Sequence, residues 1–314
     1  MKTVGSYTIV QTVQTSRRGN LNTILYKARN NYNSSDWVAI KEHYTPILPL
    51  SNELVLQVLS EANRHFRVGQ GVIHPHIVKT RELIEHRYIV YDWVQGPQLK
   101  DILREKQISF CACVNFITIL SSTLRFLTQH LSTLFPQSPS LGHGDIHLEN
   151  ILVTNASDEI CPCIIDLCNI GRDLHANRRN VEQVERELHN AKNAIAQSPE
   201  YIFGLVDYPD SCSDVFSIGV IAYWLLFACS PFRPGYLSML RAWRNGQSTT
   251  IHPPRRIKPK CDEHVRFLQL LDLMLRFDRN HRLQTMREAE LALILLNEAC
   301  KRNGSPEFAL SRVA

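Results

Sequence analysis

A short polar stretch from His143 to Asn150, reading His-Gly-Asp-Ile-His-Leu-Glu-Asn, carries residue types suited to phosphoryl transfer. Asp145 can orient a hydroxyl group and take its proton, as a general base does. Asn150 lies five residues after Asp145, and Asp166 follows one apolar run later. Amide and carboxylate oxygens are ligands that Mg²⁺ accepts, so Asn150 and Asp166 are candidates to hold magnesium against the phosphates of ATP. Phosphoryl transfer is therefore the hypothesis that the other elements must support.

The composition is that of a globular protein with a sizeable core. The chain has 314 residues, of which 44% are apolar and 21% charged, which argues against wholesale disorder. The net charge of +5 is too mild to indicate nucleic acid as a partner. Nine cysteines without any CxxC pair predict buried free thiols in a reducing compartment, rather than disulfides or a zinc site.

The sequence gives no sign of secretion or membrane insertion. Residues 1–7 contain no apolar run of the kind that signal peptides have. The most apolar run, residues 218–229, is shorter than the ~20 residues that cross a bilayer and predicts a buried helix. We therefore expect no membrane span and a cytoplasmic location, with delivery as an effector left open.

The elements that must position these residues change character along the chain. Up to about residue 95 the pattern is mainly that of strands, with one helix at Glu53–Phe66, and from about residue 98 helices dominate. A long helix is expected from Phe110 to about Phe135, and a hairpin from residues 151–153 and 163–165 carries Asp166 at its exit. The strands are expected at Tyr7–Val10, Thr23–Tyr26, Trp37–Lys41, His74–Val78 and Tyr88–Tyr91, with a polar loop at residues 14–22.

Taken in order, these motifs resemble the eukaryotic-type protein kinase superfamily over residues 7 to about 300. The strand Val38-Ala39-Ile40-Lys41 matches VAIK, residues 143–145 stand where HRD stands, and residues 166–168 occupy the place of DFG. Residues 198–200 resemble APE, and residues 213–220 are similar to the DVWSxG helix. Each motif is weak alone, but their order and spacing are specific.

The resemblance implies an α+β, two-lobed protein-kinase-like fold. The N-lobe, about 1–94, would be a small antiparallel β-rich unit with one main helix. The C-lobe, about 95–303, would be larger and mainly helical, and residues 304–314 would form a disordered tail. ATP with Mg²⁺ or Mn²⁺ would be the cofactors, and protein would be the substrate.

The resemblance also implies a role for each matching residue. Lys41 would bind the α- and β-phosphates and pair with Glu61, and Arg282 would pair with Glu200. Asp145 would be the catalytic base, with His147 close to the transferred group, and Asn150 and Asp166 would bind the metal. Leu25 and Ala39 would cover the adenine, Leu152 would lie beneath it, and the backbone of Asp92 and Val94 would meet its edge. For the three apolar residues, an ordinary core role is compatible with this one.

Three departures from the family pattern matter for function. Only Gly19 lies between Val13 and Leu25, where the family has GxGxxG, so we expect weaker ATP binding. Gly144 replaces the HRD arginine, and residues 167–197 contain no Ser, Thr or Tyr. Both features predict a kinase that does not depend on activation-loop phosphorylation. His147 gives an HGDxHxxN loop similar to that of aminoglycoside phosphotransferases, although it also fits a packed loop histidine.

Three functions stay open on this sequence. The first is a divergent serine/threonine protein kinase, because Lys41, Asp145, Asn150 and Asp166 are all present. The second is a pseudokinase or scaffold, which the degraded glycine loop favours, and the third is a small-molecule phosphotransferase. Partner docking is a further option for the charged segment 174–196 and the basic loop 253–260, although a solvated helix face and a solvated loop explain them as simply.

Overall fold

The computed structural model describes residues 2–18, 21–45, 51–105, 108–138, 141–156, 159–167, 170, 182–184, 196–251 and 259–303. The chain forms two compact units. The first unit is Met1–Gln95 with Ile165–Cys168, and the second is Gly96–Ile164 with Asn169–Ala314. The division after Gln95 lies one residue beyond the predicted boundary, and the predicted tail at residues 304–314 lies outside the described residues.

The first unit is an antiparallel sheet of six strands with one helix, α1 (Asn52–Gly69). The order across the sheet is β1-β2-β3-β4-β6-β5. Ser51 caps α1 by accepting a hydrogen bond from the Leu54 N–H at 3.2 Å, as N-cap serines do. The strands are β1 (Thr3–Val4), β2 (Tyr7–Arg18), β3 (Leu21–Asn30), β4 (Trp37–Tyr44), β5 (Thr80–Ile84) and β6 (Tyr88–Asp92).

Alternation along β4 places apolar residues on both faces of this sheet. Val38 and Ile40 are buried on one face with Tyr26 and Val90. On the other face, Ala39 packs against a small core that includes Ile89 and Phe66 of α1. Ile165 packs against that second core as well. This apolar contact accounts for the membership of residues 165–168 in the first unit.

Two predictions for this unit were wrong. Residues 14–18 are not a loop, because β2 and β3 stay paired from Gln14 opposite Leu25 to Arg18 opposite Leu21. The stretch is polar, and polar residues such as Thr15 suit an exposed strand as well as a loop. The predicted strand at His74–Val78 is a turn region, and the fifth strand begins instead at Thr80.

The second unit is mainly helical, with one two-stranded hairpin, β7 (Ile151–Ala156) and β8 (Glu159–Ile164). The long helix α3 (Phe110–Leu134) agrees with the prediction to within a residue and packs against both α5 and α8. The confirmed fold class is therefore α+β with helices concentrated in this unit. The other helices are α2 (Leu99–Glu105), α4 (Pro199–Ile202), α5 (Ser211–Phe227), α6 (Tyr236–Arg244), α7 (Asp262–Met274) and α8 (Met286–Asn303).

Among the described residues, α3 is the only helix long and apolar enough to cross a membrane. Eleven of its residues are buried, including Phe116 and Leu120, as in the core helix of a globular unit. The expected buried helix around Ile218 is α5, which is shorter and almost wholly buried. The eight cysteines in the described part of the chain are free thiols, of which five are buried and three are partly exposed.

Candidate active site

The loop that begins at His143 is fixed by a buried carboxylate from α5. Asp214 accepts a hydrogen bond from the backbone N–H of His143 at 2.6 Å and another from that of Gly144 at 2.8 Å. Burial raises the pKa of Asp214 to about 7, although the two N–H donors act in the opposite direction. Asp214 therefore sets the backbone path that leads into Asp145.

Gly144 is required by the geometry of this loop. Its φ of +74° is in the left-handed region, and a Cβ atom there would lie 2.3 Å from the Pro209 Cβ and 2.4 Å from its Cγ. Real contacts are never this close, so a side chain at position 144 would displace the proline or the loop. The loop therefore has no room for an arginine at position 144, where the HRD motif has one.

The side chains of the loop converge on the carboxylate of Asp145. Asn150 Nδ2 donates to the Asp145 backbone oxygen at 2.9 Å and lies 3.5 Å from Oδ2. His147 Nε2 lies 3.9 Å from the same Oδ2, while its Nδ1 accepts from the Glu149 N–H at 3.2 Å. From outside the loop, Gln197 Nε2 donates to Oδ1 at 3.2 Å. The structure therefore brings Asp145, His147 and Asn150 together.

The first unit holds a second pair of the predicted residues. Lys41, on β4, makes an ion pair with Asp166, with 2.8 Å between Nζ and Oδ2. Asp166 directly follows Ile165, whose packing into the first unit brings the carboxylate to the lysine. A lysine ammonium beside a carboxylate offers both a cation for phosphate and an oxygen ligand for a metal ion.

Glu61 has close partners on its own helix. Its carboxylate lies 2.7 Å from Arg64 and 3.2 Å from His65, which are three and four residues further along α1. Burial raises the pKa of Glu61, but hydrogen bonds from His65 and Arg64 more than offset this and lower the pKa to about 2. The predicted pairing of Glu61 with Lys41 stays a prediction.

His65 also touches the strand that carries Lys41. Its Nδ1 lies 3.3 Å from Nε2 of His43, two residues after Lys41 on β4. Burial lowers the pKa of His65 to about 4 and that of His43 to about 3, so both imidazoles are neutral at pH 7. The two rings are thus a neutral hydrogen-bonded link between α1 and β4.

The residues predicted to contact adenine are divided between the two units. Leu25 is opposite Lys41 in the β3–β4 ladder, and Ala39 is opposite Tyr91 in the β4–β6 ladder. The Asp92 N–H donates to the Lys79 carbonyl oxygen at 3.0 Å, so an adenine contact at Asp92 would use its own carbonyl oxygen. Val94 packs on the core beside β6, and Leu152 pairs with Gln98 in the second unit.

A buried ion pair fixes the segment that follows Gln197. The Arg282 guanidinium binds Glu200 at 2.6 Å and 3.0 Å, and Ser213 Oγ donates to the same carboxylate at 3.1 Å. Both charged side chains are almost fully buried. The predicted Glu200–Arg282 pair is confirmed.

Two of the contacts at this site were not predicted from the sequence. Asp214 lies in the motif at residues 213–220, but its bonds to the loop at residues 143–150 join residues some 70 positions apart. Gln197 gives no local signal in the sequence.

No cluster of three or more His, Cys, Asp or Glu side chains suited to a metal occurs among the described residues. Both suggested docking segments lie largely outside that part of the chain; only residues 182–184, which are helical, and residues 196, 259 and 260 are described.

Comparisons with known proteins agree with these motifs. The family model described as "Protein kinase domain" matches residues 18–292. Protein kinase kin1 of Schizosaccharomyces pombe is 24% identical over 284 residues, covering 83% of this chain and 28% of the relative. Serine/threonine-protein kinase ULK3 of Xenopus laevis is 24% identical over 242 residues, covering 76% of this chain and 46% of the relative. The chain thus spans less than half the length of these curated relatives.

Proposed function

The chain belongs to the protein kinase domain family, and on that premise we propose that it transfers the γ-phosphoryl group of ATP to Ser or Thr hydroxyls of protein substrates. The observation that carries this proposal is the Asp145 carboxylate, which is held by its own loop partners as a general base must be. Family membership supports protein as the acceptor. The use of ATP and magnesium and the choice of Ser or Thr belong to the proposal.

The residues present fit a magnesium nucleotide by donor type. Magnesium usually takes one or two protein oxygens together with substrate phosphates, so a cluster of three acidic ligands is not required. In Asn150 the amide nitrogen is engaged with Asp145, which leaves the amide oxygen as the atom for a metal. Asp166 would supply a carboxylate oxygen. When bound, the nucleotide supplies the phosphoryl group and the metal ion balances its charge.

The remaining steps belong to the side chains of this chain. Asp145 would accept the proton of the acceptor hydroxyl as that oxygen attacks, and Asn150 would keep the carboxylate oriented. Lys41 would place its ammonium against the phosphates. His147 would lie near the transferred group, with its ring orientation set by the Glu149 N–H. These assignments stay predictions for each residue.

We also infer that activity does not require a phosphorylated activation segment. Residues 167–197 offer no hydroxyl to modify, and Gly144 occupies a position where a side chain would collide with Pro209. Mass spectrometry of the active protein should find no phosphorylated residue between positions 167 and 197. A phosphosite there would contradict the inference.

The decisive experiment is transfer of labelled phosphate to generic protein acceptors with Mg²⁺ or Mn²⁺. Asp145→Ala should lower the rate by roughly 10²–10⁴-fold, because it removes the base. Asp166→Ala should abolish transfer. As a control, Asp262→Ala changes an exposed acid at the start of α7 and should leave the rate unchanged. Full activity in Asp145→Ala would refute the assignment.

A pseudokinase is the second candidate, because residues 14–18 read Gln-Thr-Ser-Arg-Arg where the family has a glycine-rich sequence. Glu61 also has close partners within α1. Nucleotide binding without any transfer would favour this candidate. Transfer to small acceptors but not to proteins would favour the small-molecule phosphotransferase suggested by His147.

A further inference from the structure

The carboxylate of Asp145 is covered in this structure. The residue is only 4% exposed, although a general base must reach an incoming hydroxyl. Its Oδ1 accepts from Gln197 Nε2 at 3.2 Å. Its Oδ2 faces Asn150 at 3.5 Å and His147 at 3.9 Å. Because the residue is this buried, an acceptor hydroxyl can reach the carboxylate only if part of this cover moves.

Gln197 is the neighbour that can move without disturbing the loop. Asn150 is tied to the loop by its bond to the Asp145 backbone oxygen, and His147 by its bond from the Glu149 N–H. Gln197 comes from a different segment, and its side chain reaches Oδ1 through three rotatable bonds. If the hydroxyl of an acceptor replaces the Gln197 amide at Oδ1, one donor takes the place of another. The number of hydrogen bonds and the charge at Asp145 then stay unchanged.

The backbone beneath Gln197 is held in place. The buried Tyr236 hydroxyl donates to the Gln197 carbonyl oxygen. Ser198 is the N-cap residue of α4, and Glu200 in that helix is bound by Arg282. Because the main chain is held at Gln197 and in the helix that follows it, the amide is presented to Asp145 from a defined position. Rotation of the side chain would remove the amide from Oδ1 without moving this backbone.

We propose that Gln197 is a gate residue, which occupies Asp145 Oδ1 until an acceptor hydroxyl replaces it. The gate rests on the proposed function, since it assumes that Asp145 serves an acceptor. It has two consequences. Water is kept from the base when no acceptor is present, and an acceptor has to compete with the amide for the same oxygen. Gln197 then contributes to acceptor selectivity.

The first test measures how accessible the Asp145 carboxylate is, and it does not depend on activity. Carbodiimide with an amine nucleophile labels accessible carboxylates, and peptide mass spectrometry gives the rate at Asp145. Gln197→Ala should raise that rate by at least about tenfold, the factor that corresponds to the lower end of the net strength of a hydrogen bond to a charged group. Gln197→Met keeps the length but removes the donor, and should give an intermediate rate. Gln247→Ala, at an exposed glutamine, should leave the rate unchanged.

The second test measures the competition. Gln197→Ala should lower KM for the protein acceptor several-fold while kcat changes less than KM. It should also raise ATP hydrolysis in the absence of acceptor. A residue with only a structural role would lower kcat and would not improve KM. Circular dichroism and thermal melting of each variant check that the fold is kept.

The outcomes separate the two proposals. Unchanged labelling of Asp145 in Gln197→Ala overturns the gate, whether or not transfer is detected. Labelling that rises while no variant transfers phosphate supports the cover over Asp145 and refutes the proposed kinase activity. Labelling that rises together with a lower acceptor KM supports both. Labelling that rises with an unchanged or higher KM overturns the competition with the acceptor.

Discussion

The Glu200–Arg282 pair allows a quantitative prediction about stability. Arg282→Ala would remove the bidentate contacts at 2.6 Å and 3.0 Å and leave a buried carboxylate without its cation. Removing one partner of a buried ion pair costs ~3–5 kcal/mol. Arg282 also donates to the carbonyl oxygens of Arg276, Phe277 and Cys212, so those acceptors lose a partner too. We therefore expect the upper part of that range.

Urea denaturation at pH 7, followed by tryptophan fluorescence, measures this cost. Arg266→Ala is the matched control, since Arg266 is exposed on α7 and its loss should change the free energy of unfolding by no more than ~0.5 kcal/mol. The double variant Glu200→Gln with Arg282→Met should be less destabilised than Arg282→Ala, because no buried charge is left alone.

The pH dependence gives an independent check. Burial raises the pKa of Glu200, but the charge and hydrogen bonds of Arg282 more than offset this, so its pKa lies below the usual value. A carboxylate with a depressed pKa stabilises the fold above its unfolded pKa of ~4.3 and loses that effect as the pH falls further. The deficit of Arg282→Ala should thus be complete at pH 7 and smaller at pH 4. A deficit below ~1 kcal/mol at pH 7, or one that is equal at both pH values, would refute the reasoning.

Two further predictions concern the backbone that leads into Asp145. Gly144→Ala should cost ~2–4 kcal/mol by thermal or urea unfolding, since it combines left-handed strain with a clash against Pro209. Gly246→Ala is its control, because Gly246 has almost the same φ of +73° but open space around it. This control should cost only ~1–2 kcal/mol. Equal costs for the two variants would contradict the role of Pro209. Asp214→Asn should cost ~1–3 kcal/mol at pH 7, since one backbone N–H loses its acceptor. Burial raises the pKa of Asp214 to about 7, so the wild type should lose stability as the pH rises from ~4 to 7. If Asp214→Asn lost stability equally steeply over that range, Asp214 would not be the group responsible.

Much of the architecture was predictable because it depends on local patterns. Helix α3 agrees with its predicted bounds, since a serine cap and a long apolar periodicity mark it in the sequence itself. The β7–β8 hairpin was found for the same kind of reason, and the order of the motifs identified the family. The stretch at residues 14–18 was misassigned because polar residues suit an exposed strand as well as a loop.

The sequence by itself determined which residues could do the chemistry, since Lys41, Asp145, Asn150 and Asp166 are marked by type and spacing. Only the tertiary structure decided how they are held. Gly144 is explained by Pro209 and by the Asp214 carboxylate, and the cover over Asp145 comes from Gln197. Each of these contacts joins residues more than 50 positions apart, where packing sets the distance and no periodicity or spacing records it.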